Sequence, residues 1–239
     1  MSIRLDKYLS DALQISRKEA RALILKGVVF VNEKRVLTIG FPIDENFDLV
    51  TVDGQKVIYQ KFFYFLLNKP TGYLSATTDQ FTPTVISLFP GYERAKLFPV
   101  GRLDKDTTGT LLVTNHGTLA HRLTNPKYNI EKEYFVTVNF PLKNELILAF
   151  AEGIVLEDNL ITRPAKLTLI DAFHARLIIT EGKFHQVKRM FKYFGYEVLS
   201  LERIRFANLS ASDLEVGTYR FLTKEEISSL FQLVSLEMC

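Results

Sequence analysis

The stretch FPVGRLDKDTTGTLLVTNHG, residues 98–117, has the most unusual pattern in the chain. An apolar run ends at Val100, a polar and turn-prone loop follows, and the run TLLVT at 110–114 predicts a strand. Gly101 and Gly109 lie on either side of the loop and permit a tight backbone path. A loop held between rigid elements in this way is a common place for functional side chains.

The loop carries two carboxylates, Asp104 and Asp106, with the cations Arg102 and Lys105 beside them. Taken alone, these residues fit either a catalytic carboxylate or an ordinary loop with surface ion pairs. A magnesium site is disfavoured, because a cation separates the two aspartates and no further carboxylate cluster is evident nearby. A cofactor-free enzyme with one catalytic carboxylate is a possible interpretation.

Other catalytic systems find little support in the sequence. It contains no Walker-type phosphate loop, no GxGxxG dinucleotide fingerprint and no GxSxG elbow. The only cysteine is Cys239, which excludes a disulfide within the chain and a cysteine metal site. The four histidines lack the spacing of a zinc site; they are His116, His121, His174 and His185. The sequence therefore predicts neither a metal nor a cofactor.

The pattern of short strands and helices predicts an α+β fold. Strands are expected where β-branched and aromatic residues cluster, at 62–67, 134–138, 166–170 and 175–180. A helix is expected at 143–152. Strands and helices mix without regular alternation, which disfavours a doubly wound parallel sheet. Hydrophobic residues make up 47% of the chain, enough for a sizeable core.

The N-terminal segment predicts a compact module of two short helices and a hairpin. Apolar residues recur at helical spacing over 5–13. Ser16 and Glu19 have the spacing of a capping box, which marks the start of a second helix, and Gly27 is a C-terminal stop. The run VVFVNEKRV, residues 28–36, follows as the hairpin.

Basic residues are concentrated in two regions of a chain whose net charge is only +3. Residues 1–35 hold eight basic and four acidic residues, and residues 181–205 hold six and three. In the second predicted helix, Arg17 and Arg21 lie one turn apart on one face. Charge alone fits equally well with two solvated surfaces and with a polyanionic partner.

The second basic region, FHQVKRMFKYFG at 184–195, predicts an amphipathic helix ended by Gly195. Its apolar side is formed by Val187, Met190, Phe191 and Phe194. Its other side is formed by His185, Lys188, Arg189 and Lys192, about 200° around the helix. Most such helices only cover a core, but a polar face with cations and no carboxylate fits phosphate contact.

Four motifs in order resemble one known family. NKPTGYLSATTD at 68–79, GRLDKDTTG at 101–109, EKEY at 131–134 and EGKFHQVKRM at 181–190 closely resemble the ribosomal pseudouridine synthases of the small-subunit synthase A type. RLDKYLSDALQISRKEARALILKGVVFVN at 4–32 resembles the alpha-L RNA-binding module of a small-subunit ribosomal protein and of tyrosyl-tRNA synthetases.

The resemblance implies two domains, an alpha-L-type RNA-binding domain at 1–60 and a catalytic domain at 61–239. The catalytic domain is expected to contain a mainly antiparallel mixed β-sheet with flanking helices. His116 and Thr110 depart from residues common in the family, but neither is at a catalytic position. They weaken the subfamily assignment rather than the activity.

The resemblance also implies roles for individual residues. Asp104 matches the nucleophilic aspartate, and Arg102 matches the arginine that holds the RNA where the target base has left the stack. Tyr134 matches the tyrosine that packs on the target uracil, and Lys188 matches the basic residue that pairs with the aspartate. Lys69, with Pro70, matches an element beside the site. The residues expected to contact RNA are Arg4, Lys7, Arg17, Arg21, Lys26, Lys69, His185, Arg189 and Lys192.

The implied reaction is a cofactor-free isomerisation of uridine to pseudouridine in 16S ribosomal RNA. It needs a carboxylate, which an aspartate supplies in ionised form at neutral pH, and a pocket that retains the freed uracil. The target must leave its helix, and stacking on Tyr134 would offset part of that cost. Two alternatives remain: a 23S rRNA enzyme, and a non-catalytic rRNA-binding assembly factor on the same fold.

The sequence also leads to expectations about the location of the protein in the cell, its oligomeric state and its partner. No stretch approaches the roughly 20 apolar residues of a membrane span, and residues 1–10 are charged, unlike a signal peptide. The protein is therefore expected to be a soluble, cytoplasmic monomer whose partner is ribosomal RNA, or a small-subunit assembly intermediate, and not a membrane.

Overall fold

The computed structural model describes residues 2–237, which form two compact units. One unit holds the chain up to Phe63 together with Phe89–Leu97. The other holds Tyr64–Leu88 and the chain from Phe98 onward. A domain boundary between residues 60 and 61 stays a prediction. Because Phe89–Leu97 belongs to the first unit, one boundary in the sequence does not separate the two units. In the part described, no helix has the length and apolar character needed to cross a membrane.

The first unit contains two helices and six short strands. The helices α1 (Leu5–Ala12) and α2 (Arg17–Lys26) are in contact with each other. Two strands, β1 (Ser2–Arg4) and β4 (Pro42–Asp44), pair antiparallel. The others form an antiparallel sheet in the order β3-β2-β5-β6; they are β2 (Val29–Val31), β3 (Lys34–Arg35), β5 (Val50–Val52) and β6 (Gln55–Val57).

The predicted start and end of α2 are confirmed. The amide of Glu19 donates to Ser16 Oγ at 3.1 Å, and the amide of Ser16 donates to Glu19 Oε2 at 2.7 Å. These bonds satisfy amide groups that an uncapped helix start leaves without partners. Gly27 ends the helix in the left-handed conformation, with φ 77°. Ala20 and Ile24 are fully buried, so the helix is fixed by both its cap and its apolar side.

The second unit is built on one eight-stranded, mainly antiparallel sheet, as expected. Its order is β11-β12-β10-β13-β9-β7-β14, and β8 also pairs with β9. Only the β13–β9 pair is parallel among the pairs described. The strands are β7 (Tyr64–Lys69), β8 (Phe98–Pro99), β9 (Thr108–Thr114), β10 (Lys132–Val138), β11 (Lys166–Leu169), β12 (His174–Ile179), β13 (Val198–Phe206) and β14 (Tyr219–Phe221).

Four α-helices accompany this sheet, with single 3-10 turns at Val85–Leu88 and Pro126–Tyr128. They are α3 (Gly117–Thr124), α4 (Glu145–Glu152), α5 (Gln186–Tyr193) and α6 (Lys224–Leu233). Three of the four residues predicted for the apolar side of α5 are buried, namely Val187, Met190 and Phe191. This burial fixes the rotation of α5 and therefore the direction of its basic side chains. The helix is shorter than predicted, because His185 precedes it with φ 47° and Phe194, which is half-buried, follows it.

The loop 101–107 enters β9 where that strand meets β13. Gly109 lies opposite Arg203 and has φ 97°, a conformation that side-chain-bearing residues rarely adopt. A Cβ atom at Gly109 would lie 2.5 Å from the Arg203 carbonyl oxygen. Only glycine therefore allows the two backbones to approach this closely.

We expect Gly109→Ala to destabilise the protein far more than Gly217→Ala. Gly217 also has positive φ, at 86°, but a Cβ there meets nothing within 4 Å. Gly217→Ala should therefore cost about 1–2 kcal/mol from the backbone conformation alone. Gly109→Ala should lose about 1–3 kcal/mol more from the steric clash. Urea unfolding of both variants measures the difference, and equal losses would show that the β9 and β13 backbones can separate.

Candidate active site and RNA-facing surfaces

A cavity of about 430 Å³ lies where three segments of the second unit meet. These are the turn after β7, the loop 101–107 and the start of α5. The amide of Gly72 donates to the Lys105 carbonyl at 2.8 Å and joins the first two segments. The cavity is lined by Thr71, Gly72, Asp104, Lys105, Asp106, His185 and Lys188.

Asp104 is held in the cavity wall by its neighbours in the loop. Leu103 is buried, and its amide and carbonyl both bond to the Ser75 hydroxyl, at 3.0 and 2.9 Å. The Asp104 carbonyl accepts from the Thr107 amide at 3.1 Å. With the backbone fixed on both sides, the Asp104 side chain remains 28% exposed toward solvent. This is the arrangement expected of a carboxylate that must reach a ligand.

Two basic side chains from α5 and its N-terminus approach the Asp104 carboxylate. His185 Nε2 lies 3.5 Å from Asp104 Oδ1, and Lys188 Nζ lies 3.9 Å from Asp104 Oδ2. The structure thus brings Lys188 to Asp104 across 84 residues of sequence.

The shortest contact of Lys188, however, is with Asp106. Its Nζ lies 2.6 Å from both Asp106 oxygens, and this bond lowers the pKa of Asp106 despite partial burial. No sequence motif assigns a role to Asp106. In the structure, the Lys188 ammonium group lies near the carboxylates of both Asp104 and Asp106. It is nearer to Asp106, which is the more exposed of the two.

The expected contact between Lys69 and RNA is wrong for this structure. Lys69 is fully buried, and its Nζ donates to the carbonyls of Pro70, Lys105 and Thr107 at 2.8–3.3 Å. Its ammonium group therefore binds carbonyl groups on the buried side of the loop 101–107 instead of facing phosphate. Burial lowers the pKa of Lys69 to about 8, against an opposing effect of Asp106 and Asp104.

We expect Lys69 to make stability rise with pH. Its pKa is about 10.4 in an unfolded chain and about 8 in the fold. Between these values the unfolded chain binds more protons, so the free energy of unfolding increases as pH rises and this contribution is lost as pH falls through 8. Urea unfolding at several pH values should show a flatter rise for Lys69→Met than for wild type. Lys192→Met, at an exposed lysine, is the control, and parallel curves for Lys69→Met and wild type would contradict the assignment.

Tyr134 lies on β10 and is 7% exposed. It pairs with Arg203 of β13 in the sheet register. Arg203 Nε donates to the Thr110 carbonyl at 2.8 Å. Tyr134 is not among the residues that line the cavity, so its stacking on a uracil stays a prediction.

Arg203 is a residue that sequence reasoning missed. It is 2% exposed and is among the largest fully buried side chains of the structure. Its guanidinium lies 4.9 Å from the ring centroid of Phe206, a cation–π distance. Burial lowers its pKa. The only signal in the sequence is an arginine inside the strand-like run ERIRF, where polar side chains would ordinarily face solvent.

The expected RNA-contacting residues of α5 fall into two groups. His185 and Lys192 are exposed. The expectation that Arg189 contacts RNA is corrected, because its side chain is only 14% exposed and forms ion pairs with Glu157 and Asp158. The polar face of α5 is therefore partly covered by carboxylates from other segments, which its own sequence cannot show. In the loop 101–107, Arg102 is exposed beside the buried Leu103 and is accessible to RNA.

In the first unit, three of the expected arginines are gathered on one buried carboxylate. Asp6 is fully buried, with Arg17, Arg4 and Arg21 nitrogens at 3.0, 3.1 and 3.2 Å from its oxygens. Burial alone would raise the pKa of Asp6, but hydrogen bonds from Arg4 and Arg21 lower it overall. Each arginine remains about half exposed. Lys7 and Lys26 are exposed as well.

Comparison with known proteins covers both units. The family described as RNA pseudouridylate synthase matches residues 63–193, and the S4 domain matches residues 3–46. The chain is 41% identical to an uncharacterized RNA pseudouridine synthase of Bacillus subtilis (strain 168), over 95% of this chain and 98% of that protein. It is 39% identical to ribosomal small subunit pseudouridine synthase A of Escherichia coli (strain K12), over 95% and 100%.

One solved structure is similar over nearly the whole chain. It is described as a crystal structure of pseudouridylate synthase, with 37% sequence identity and a TM-score of 0.68. The match covers 96% of this chain and 100% of that one. The similarity therefore includes the N-terminal segment as well as the segments that form the cavity.

Proposed function

Because this chain belongs to the RNA pseudouridylate synthase family, we propose that it converts a uridine of small-subunit (16S) ribosomal RNA to pseudouridine, with Asp104 as the catalytic carboxylate. One observation carries the assignment to this site. Asp104 is fixed in the wall of the cavity, partly exposed, and lies within 4 Å of two basic side chains. The preference for 16S RNA rests on relatives with that specificity in their names.

The reaction breaks the bond between uracil N1 and ribose C1′ and forms a bond between C5 and C1′. The proton on C5 is lost and N1 gains one, so no oxidant, reductant or energy source is needed. Asp104 acts as the carboxylate that attacks the ribose or the base, or that removes a proton. Lys188 and His185, which lie 3.9 and 3.5 Å from its oxygens, orient the carboxylate.

The cavity also has to retain the freed uracil while it turns. Tyr134, supported from behind by Arg203, supplies the planar group against which the base packs. Arg102, exposed on the loop two residues before Asp104, occupies the space that the extruded uridine leaves in the RNA. Both roles are part of the proposal and follow the family pattern at these positions.

Mapping of pseudouridine in rRNA from a deletion strain tests the proposed substrate. Carbodiimide modification followed by primer extension should show that a 16S position loses its stop in the deletion strain and regains it on complementation. Loss of a 23S position instead would transfer the substrate to the large subunit. If no rRNA position changes while subunit assembly is impaired, the protein is an assembly factor rather than a ribosomal RNA isomerase.

The S4 domain is proposed to add phosphate affinity without taking part in the chemistry. Lys7→Gln and Lys26→Gln test this better than deletion, because Phe89–Leu97 belongs to the same compact unit and would lose its partners. Each substitution should reduce the slope of log affinity against log salt by about 1, and turnover at saturating RNA should not change. A fall in saturated turnover would mean that the domain shapes the catalytic site. A cytoplasmic monomer remains the expectation for the free protein.

A further inference from the structure

Phe184 is an exposed aromatic residue in contact with the cavity-lining His185, and neither the motifs nor the proposed reaction gives it a role. Its side chain is 76% exposed, although it directly precedes His185, which lines the cavity. The two rings are stacked, with centroids 3.8 Å apart and planes 20° from parallel. One face of the phenyl ring is thus backed by the imidazole, and the other is open to solvent.

The backbone holds this ring pair in place. His185 has φ 47°, a left-handed conformation that is uncommon outside glycine and asparagine. The segment before it is braced, since the Lys183 amide donates to Gln186 Oε1 at 2.9 Å and Gln186 Nε2 donates to Glu181 Oε1 at 2.7 Å. Glu181 and Gln186 are buried. Phe184 is therefore presented on a rigid support rather than on a loose loop.

The surroundings of the ring favour one class of ligand. Lys105 and Lys188 line the adjoining cavity together with Asp104 and Asp106, and Lys183 and Lys192 are exposed on the segment that carries Phe184. A ligand that suits an open aromatic face beside exposed lysines has flat apolar groups on an anionic backbone. Single-stranded nucleic acid has this chemistry, and its bases stack on exposed aromatic rings.

We propose that Phe184, supported by His185, stacks on the nucleobase next to the target uridine. This inference rests on the proposed function, because it assumes that a uridine leaves its helix and enters the cavity beside Asp104. Extrusion of that uridine removes a stacking partner from its neighbour. The open face of Phe184 replaces the lost partner and so stabilises the extruded state of the RNA.

Binding of a short RNA stem-loop that carries the mapped uridine tests this role. Measurements in the Asp104→Asn background prevent turnover during titration. Phe184→Ala should weaken binding about tenfold, the effect of losing one base–aromatic contact. Phe184→Tyr should bind like the parent, and Phe184→Leu should recover little, because an aliphatic group lacks the flat face. Phe140→Ala is the matched control and should have no effect, because Phe140 is an exposed phenylalanine of the same unit that adjoins no cavity-lining residue in the sequence.

A fluorescent base shows whether the contact is stacking. 2-Aminopurine next to the target, on its 5′ or its 3′ side, should be quenched on binding at one of the two positions, and Phe184→Ala should abolish that quenching. Unchanged affinity of Phe184→Ala, full recovery by Phe184→Leu, or unaltered fluorescence at both positions would overturn the inference. Wild-type turnover of the same RNA is measured first. If no pseudouridine forms on this RNA or on assembling small subunits, the proposed function fails; if it forms and Phe184→Ala binds like the parent, only the stacking role fails.

Discussion

Asp104→Asn should bind its RNA substrate and form no pseudouridine. The amide has nearly the same shape as the carboxylate, and the bonds that fix the loop involve Ser75, Leu103 and the Asp104 backbone, none of which changes. Only the charge and the nucleophilic oxygen are lost. We expect turnover to fall at least about a thousandfold, as when an enzyme loses its nucleophile or base.

Affinity provides the control for this variant. Removal of a negative charge from the cavity should leave RNA binding unchanged or slightly tighter, because phosphates are then repelled less. Filter binding and single-turnover assays on the same RNA separate the two effects. Asp106→Asn is the matched change two residues away and should retain most of the activity. Near-wild-type turnover of Asp104→Asn, or its loss together with binding, would remove Asp104 from the proposed role.

Lys188→Met should reduce turnover on the order of a hundredfold, the usual effect of removing one preorganised charged group from an active site. In the structure the ammonium group lies 2.6 Å from Asp106 and 3.9 Å from Asp104. Without it, two neighbouring carboxylates lose the cation they share, and Asp106 loses the hydrogen bond that lowers its pKa.

Charge-preserving substitution distinguishes this electrostatic role from a purely structural one. Lys188→Arg keeps a cation beside the two carboxylates and should restore most of the rate. Lys105→Met, at a second lysine lining the same cavity, should retain most of the wild-type rate. Near-wild-type turnover of Lys188→Met, or equal losses in Lys188→Met and Lys188→Arg, would contradict the shared-cation account.

Sequence patterns predicted the structural features that depend on residues close together in the chain. The capping box at Ser16–Glu19, the stop at Gly27 and the burial of three apolar residues of α5 are set by residues close in sequence, and the structure confirms them. β13 was not predicted, because its run LERIRF contains three charged residues. Their partners lie elsewhere in the chain: Arg203 bonds to Thr110, and Arg205 pairs with Glu131 and Glu133.

The family motifs predicted which residues meet at the site. They did not predict the contacts of residues whose surroundings depend on burial. Asp104 and Lys188 do meet, as the ordered motifs imply. Lys69 was expected to contact RNA as part of an element beside the site, and Arg189 as part of the basic side of α5. Their enclosure by loop carbonyls or by distant carboxylates depends on tertiary packing. The same reason explains Asp106, whose contact with Lys188 spans 82 residues.

Tritium release from a 16S rRNA transcript labelled at uridine C5 tests the central claim most directly. Because C5 loses its hydrogen when it bonds to ribose, each pseudouridine formed releases one tritium to water. The wild-type protein should release one equivalent per RNA at each modified position without added metal or cofactor, and Asp104→Asn should release none. Absence of release from 16S RNA and from assembling small subunits, or release by Asp104→Asn at the wild-type rate, would contradict the account.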